Sequence, residues 1–243
     1  MVLRISGSNA KYFKFSFFVI WMKLAVLFSG GKDSTLAAFI AKKEGYDLGC
    51  LVSISSKNKE SFMFHVPSID KVVRQAEVMG VPLILKESDG KKEAELKDLK
   101  IALVDAIDRF GIEGVVTGAI GSVYQATRVQ KICGELGLEC FNPLWQKDQV
   151  ELLRDLIKEK FSVIIVGVAA YPLGQDFLGK KIDAGFIEEM ARLRNEFDIN
   201  PAGEGGEFES FVLDCPLFSK GLDVIGFEDF GEKNSWRREI KLK

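Results

Sequence analysis

The sequence predicts an α/β protein built on a doubly wound, mostly parallel sheet, with a smaller C-terminal α/β lobe. Short apolar, β-branched runs recur at Leu24–Phe28, Leu48–Ile54, Pro82–Leu85, Gly114–Thr117, Leu138–Phe141 and Ser162–Val168. Runs apolar almost throughout indicate strands covered on both faces, the usual state of a parallel sheet. Between them lie segments of helical period, so strands and helices alternate along the chain.

The elements follow in order. The strand Leu24–Phe28 passes through Ser29–Ser34 into a helix whose stripe is Leu36, Phe39 and Ile40. After Leu48–Ile54, the residues Ile69, Val72, Val73 and Ala76 mark a second helix; after Pro82–Leu85, Leu96, Leu99, Leu103, Ile107 and Phe110 mark a third. Gly45, Gly80 and Gly111 stand just past these stripes, where helices end in the left-handed conformation. Beyond Val168 the rhythm changes: Tyr171-Pro172-Leu173-Gly174 opens a loop, Phe186–Phe197 reads as a helix, and the Gly/Glu-rich Pro201–Gly206 precedes a strand-like Phe208–Leu213. These shifts divide the chain into a core over 22–140 and a C-terminal substrate lobe over 141–243, with a soft boundary at 135–170. The locally basic Trp236–Lys243 is expected to be a solvated terminus.

At 243 residues and 47% hydrophobic, the chain has material for one large domain or a core with an appendage. Lys+Arg 33 against Asp+Glu 35 leaves a formal charge of −2, which argues against a broad nucleic-acid-binding face. One histidine, His65, and four cysteines without a C-x-x-C pair leave little for zinc chemistry, a histidine triad or a redox dithiol. Scattered cysteines fit a reducing compartment, so a cytoplasmic location is expected.

Residues 1–21 carry Arg4, Lys11 and Lys14 before the apolar Phe15–Trp21, resembling a basic n-region and a short h-region. No small-x-small cleavage site follows, and Lys23 breaks the apolar run short of a bilayer span. The preferred reading takes Met22 as the start; an amphipathic tail or a membrane or export signal are the alternatives. No membrane partner is expected.

The strongest chemical signal is Ser29-Gly30-Gly31-Lys32-Asp33-Ser34, placed where a strand gives way to a helix. In open α/β sheets that place borders the ligand crevice. Paired glycines let successive N–H groups turn toward one point, and the helix N-terminus adds partial positive charge, which suits an anion. Lys32 adds a full charge; Ser29 and Ser34 add hydroxyls. A Walker A loop would need Gly at 26 and Ser or Thr at 33, where Val26 and Asp33 stand. A carboxylate at Asp33 makes sense with Mg2+ between it and phosphates.

S-G-G-K-D-S resembles the PP-loop of the N-type ATP pyrophosphatases, whose core is Rossmann-like, of the adenine nucleotide alpha hydrolase type. The resemblance implies that Ser29, Gly30, Gly31, Lys32, Asp33 and Ser34 hold the pyrophosphate of ATP, that Lys32 and Asp33 are catalytic, that Asp33 binds Mg2+, and that Thr117 and Gly118 complete the nucleotide site. Three more segments, Glu60–Pro67, Val116–Val129 and Gly203–Phe211, together with this loop resemble the diphthine-ammonia ligase family from about Met22 to Phe218. That family implies an AMP-forming ligase that uses ATP and ammonium to amidate diphthine on translation elongation factor 2.

Substrate-side candidates follow from position. Ser122, Gln125 and Arg128 share one side if Ser122 starts a helix. Glu204, Glu207 and Glu209, with aromatics such as Tyr124, Tyr171 or Phe208, suit the quaternary ammonium that diphthine carries. A bland account remains open for each: a capped helix, a solvated loop, a structural histidine. The rival functions are another PP-loop enzyme such as a tRNA thiolase, for which a Cys133–Cys140 approach is the one faint sign, or an ATP-sensing module without turnover. A homo-oligomer is left open.

Overall fold

The computed structural model describes residues 22–56, 69–88 and 92–243. Residues 1–21, and the segment Glu60–Pro67 with His65, lie outside them.

Five parallel strands form the first sheet in the order β3-β2-β1-β4-β5: β1 (Lys23–Leu27), β2 (Asp47–Ser56), β3 (Leu83–Ser88), β4 (Gly114–Val116) and β5 (Glu139–Phe141). Their connections are α1 (Lys32–Lys43), α2 (Ile69–Met79), α3 (Lys92–Phe110) and α4 (Val123–Leu136). The strand period of two divides the core. Leu24, Val26 and Phe28 join one apolar cluster with Leu36, Ala37, Ala38 and Ala41 of α1 and Val72 of α2. Ala25 joins the other, with Leu99, Leu103 and Ala106 of α3 and Ile132 of α4. Both faces are covered, as strands apolar throughout require.

After α5 (Gln149–Lys158), the run Ser162–Val168, grouped in sequence with the other five, forms β6 in a second sheet. That sheet is antiparallel, ordered β7-β6-β9-β8, with β7 (Phe208–Asp214), β8 (Val224–Glu232) and β9 (Ser235–Leu242); α6 (Ala184–Phe197) precedes β7. The terminus expected to be solvated is therefore a strand. Trp236, Arg238, Ile240 and Leu242 alternate inward along β9, and Ile240 is buried. Arg238 hid this period-two signal by reading as polar. Its guanidinium donates to both oxygens of Asp229 at 2.7 and 2.8 Å and covers the Phe227 ring at 3.8 Å. No helix among the described residues is long and apolar enough to cross a membrane.

Candidate functional site

The chain leaves β1 for β2 and β3 on one side and returns through β4 to β5 on the other. The loops after β1 and β4 therefore part at the sheet's switch point, the place at the strands' carboxyl ends where open α/β sheets form their ligand crevice. Residues 29–31 form one wall and residues 117–122 the other.

In the first wall, Gly30 takes a φ of +78°, which favours glycine, and a Cβ there would press within 2.3 Å of Gln75 Oε1. Gly31 is the N-cap of α1 and supplies no side-chain cap to the helix's first N–H groups. Ser29 and Ser34 tie the loop shut, their hydroxyls 3.1 Å apart, while Ser34 and Thr35 both donate to the Gly31 carbonyl. Lys32 is only 3% exposed. Its Nζ donates to Asp33 Oδ2 at 2.8 Å and lies 5.1 Å from the centre of the Phe208 ring. Burial pushes the Asp33 carboxyl above its ordinary range, and Lys32 opposes the rise. Asp33 Oδ1 is buried with no hydrogen-bond partner.

The second wall touches the first at Gly118, where a Cβ would fall 2.6 Å from the Ser34 nitrogen and 2.7 Å from the Asp33 carbonyl carbon. Thr117 donates to Asn142 Oδ1 at 2.5 Å and accepts from the Ala119 N–H.

A third arm comes from the C-terminal part. The Lys32 N–H donates to Ser210 Oγ at 3.2 Å, and the Val212 N–H to the Gly30 carbonyl at 3.2 Å. Gln75, fully buried, donates through Nε2 to the carbonyls of both Gly30 and Val212. Glu204 Oε1 accepts from the Gly121 and Ser122 N–H groups at 2.9 and 2.8 Å. One carboxylate thus joins the C-terminal loop to the start of α4, where a negative charge is favoured.

Known proteins bear on this arrangement. The Diphthamide synthase N-terminal domain matches residues 22–140, and the Diphthamide synthase C-terminal domain residues 148–241. The Diphthine--ammonia ligase of Rattus norvegicus is 34% identical over 223 residues, covering 84% of this chain and 83% of that protein. The chain belongs to the diphthine–ammonia ligase family. Another relative in that family, the Diphthine--ammonia ligase of Schizosaccharomyces pombe, is 34% identical over 217 residues; these cover 83% of this chain and 36% of that longer protein. Among solved structures, a predicted subunit of tRNA methyltransferase from Methanocaldococcus jannaschii is similar at 23% identity and a TM-score of 0.38, over 72% of this chain and 88% of that one.

The residues singled out in the sequence fall unevenly on the site. Ser29 to Ser34, Gly118, Glu204 and Ser210 meet at the crevice. Ser122 is the N-cap of α4, accepting from the Gln125 N–H at 3.3 Å. Arg128 curls back one turn, its guanidinium 3.4 Å from the Tyr124 ring centre and its NH1 donating to the Tyr124 carbonyl. Tyr124 thus already carries a cation on one face. Glu207 accepts from the N–H and side-chain amide of Asn200 and from the Gly205 N–H, so its carboxylate shapes its own loop. Glu209 lies in β7 opposite Gly167, and Tyr171 stacks edge-on against Phe197. Ser210, Gln75 and Asn142 were not singled out in sequence. A polar Gln75 beside the apolar Val72 and Ala76 and an asparagine directly after β5 were the available signals.

Glu204 makes the site's stability depend on pH. Burial, with the charge of Asp33, raises its carboxyl, and the Gly121 and Ser122 N–H groups pull it back. A raised acid binds its proton more tightly folded than unfolded, so its stabilising contribution is complete below the ordinary carboxylate range and is lost as pH rises through the raised value. Glu204→Gln keeps an acceptor for both N–H groups without the charge. Its melting temperature relative to the parent should climb as pH goes from the acid range to neutrality; a difference flat with pH, measured by calorimetry, would contradict this.

Proposed function

We propose that this chain is an ATP-dependent diphthine–ammonia ligase that adenylates the carboxylate of diphthine on translation elongation factor 2 and passes it to ammonia, releasing AMP and pyrophosphate. The observation that supports the reading is the meeting of three segments around the loop after β1: Gly118 after β4 against the backbone of Asp33 and Ser34, Ser210 on the Lys32 N–H, and Glu204 on the Gly121 N–H. A carboxylate is a poor acyl donor because oxide would have to leave; AMP is a far better leaving group. The protein's task is to align the carboxylate with the α-phosphate and to stabilise the charge that develops.

The residues fit both ATP and Mg2+. Ser29 to Ser34 form a turn with Gly30 at positive φ, leading into the start of α1, whose N-cap Gly31 has no side chain and whose Lys32 N–H is held by Ser210 Oγ; a turn and helix start of this kind suit phosphate oxygens. Lys32 supplies the charge for them, and Thr117 and Gly118 border the same crevice. Asp33 Oδ1, buried and unpaired, is an oxygen donor of the kind Mg2+ takes, the remaining ligands coming from phosphates and water. Bound there, Mg2+ would neutralise pyrophosphate charge. Glu204, Glu207 and Glu209 are the candidates for the cationic group of diphthine.

The test is product analysis with ATP, ammonium and diphthine-bearing elongation factor 2. AMP release with a matching mass change on the factor is expected. ADP as product, or no nucleotide turnover, rejects the ligase reading.

A further inference from the structure

Gln75 stands within α2, fully buried, and the reaction described above gives it no part. Its side-chain amide lies against the turn after β1. Nε2 donates to the Gly30 carbonyl at 3.0 Å and to the Val212 carbonyl of β7 at 2.8 Å, while Oε1 faces Gly30 without a hydrogen-bond partner. The Val212 N–H donates to the same Gly30 carbonyl at 3.2 Å, so both lone pairs of that oxygen are engaged. The helix itself is anchored on the C-terminal part. Lys71, buried, donates through Nζ to Glu239 of β9 at 2.9 Å, Arg74 donates to the Lys243 carbonyl at 2.8 Å, and the Val78 carbonyl accepts from the Ser219 N–H at 2.8 Å. Gln75 therefore reaches the loop from a support that is fixed on both sides of it, as a group meant to set geometry requires.

We infer that Gln75 is a positioning residue for pyrophosphate: by holding the Gly30 carbonyl it fixes the Gly30–Gly31 peptide so that the Gly31 N–H is presented to a phosphate oxygen. This deepens the ligase reading and rests on it. A trans peptide unit carries its C=O and N–H on opposite sides. Pinning the carbonyl toward Gln75 and Val212 thus turns the Gly31 N–H away from them, to the side where Ser29 Oγ lies 3.4 Å from its nitrogen.

The peptide needs such a hold. Gly30 and Gly31 are the two residues of the loop with the widest backbone freedom, so a carbonyl between them keeps its direction only through its partners. The bond from Gly31 to Ser29 Oγ is long for an N–H donor, and an anionic phosphate oxygen is the stronger acceptor to replace it. Without Nε2, the Gly30 carbonyl keeps one donor and the peptide gains freedom that binding must then remove, at a cost in affinity. That cost falls on the phosphate end of the nucleotide, because the peptide lies in the loop read as the pyrophosphate site.

The experiment titrates the full chain, parent and Gln75→Met, with inorganic pyrophosphate in the presence of Mg2+ and separately with AMP, by calorimetry. Methionine has about the length of glutamine and no donor. The Kd for pyrophosphate should rise about tenfold in the folded variant, the scale of one buried hydrogen bond, with the Kd for AMP unchanged. A residue that merely supports the fold would lower the melting temperature and leave both constants alone; that result, or an equal loss for the two ligands, overturns the assignment. A second measurement needs no variant: the Gly31 amide resonance of the 15N-labelled parent should move as pyrophosphate binds, and an amide that stays in place while pyrophosphate binds overturns the assignment too. A parent chain that binds neither pyrophosphate nor ATP rejects the nucleotide-site reading itself, and the role of Gln75 falls with it.

Discussion

Lys32→Ala should cut AMP formation by about 10²- to 10³-fold, the scale seen when one preorganised electrostatic group is removed from an active site. The side chain is almost wholly buried, its ammonium shared between Asp33 Oδ2 and the face of Phe208. No neighbouring lysine stands in for it along residues 28–41, so the charge is lost outright. The variant also leaves the Asp33 carboxyl buried without its cation, and that raises the acid further. Asp33→Asn separates the two effects: it retains a polar side chain beside Lys32 but removes the anionic oxygen, and AMP formation should fall comparably. Initial rates of AMP release, with circular dichroism melts to certify folding, decide the matter. A folded Lys32→Ala chain with parental rates would remove this loop from catalysis.

Gly118→Ala should cost about 1–3 kcal/mol in stability, as overpacking does, and abolish ATP turnover. The added methyl would face the Ser34 nitrogen at 2.6 Å and the Asp33 carbonyl carbon and oxygen at 2.7 and 2.9 Å. All three are backbone atoms, so relief comes only by moving the first turn of α1, which carries Lys32 and Asp33. Gly134→Ala is the contrast. It lies inside α4 with nothing within 4 Å of the added Cβ, and the gain in helix propensity should stabilise the chain by about 0.5–1 kcal/mol with turnover unchanged. Urea unfolding and AMP release on both variants test the pair; a Gly118→Ala chain indistinguishable from the parent would show that the two walls do not touch.

The parallel core and the loop after β1 were legible because their signals are local. A strand buried on both faces reads as an apolar run, a helix reads as a stripe, and Gly-Gly-Lys-Asp between them declares a turn with charge at a helix start. The family resemblance added that Gly203–Phe211 belongs with that loop, but not how. Ser210 meets the Lys32 N–H across 178 positions, and Gln75 bridges Gly30 to Val212 across 45 and 137. Nothing periodic marks such contacts.

Other residues had two physically sound roles, and only their neighbours chose. Tyr124 could have met a foreign cation, but one face of its ring already carries Arg128 from the next turn. Glu207 could have faced solvent, but the Asn200 and Gly205 donors lie close enough to claim it. Trp236–Lys243 was hidden by its own charges, since a basic strand looks solvated until an acid such as Asp229 stands opposite. The sequence alone thus determined the elements of the core and the loop that begins α1, because backbone period and turn chemistry act over a few residues. Which side chains complete that loop, and which are spent holding the fold, was decided by tertiary structure, because a hydrogen bond or an ion pair depends on distance in space.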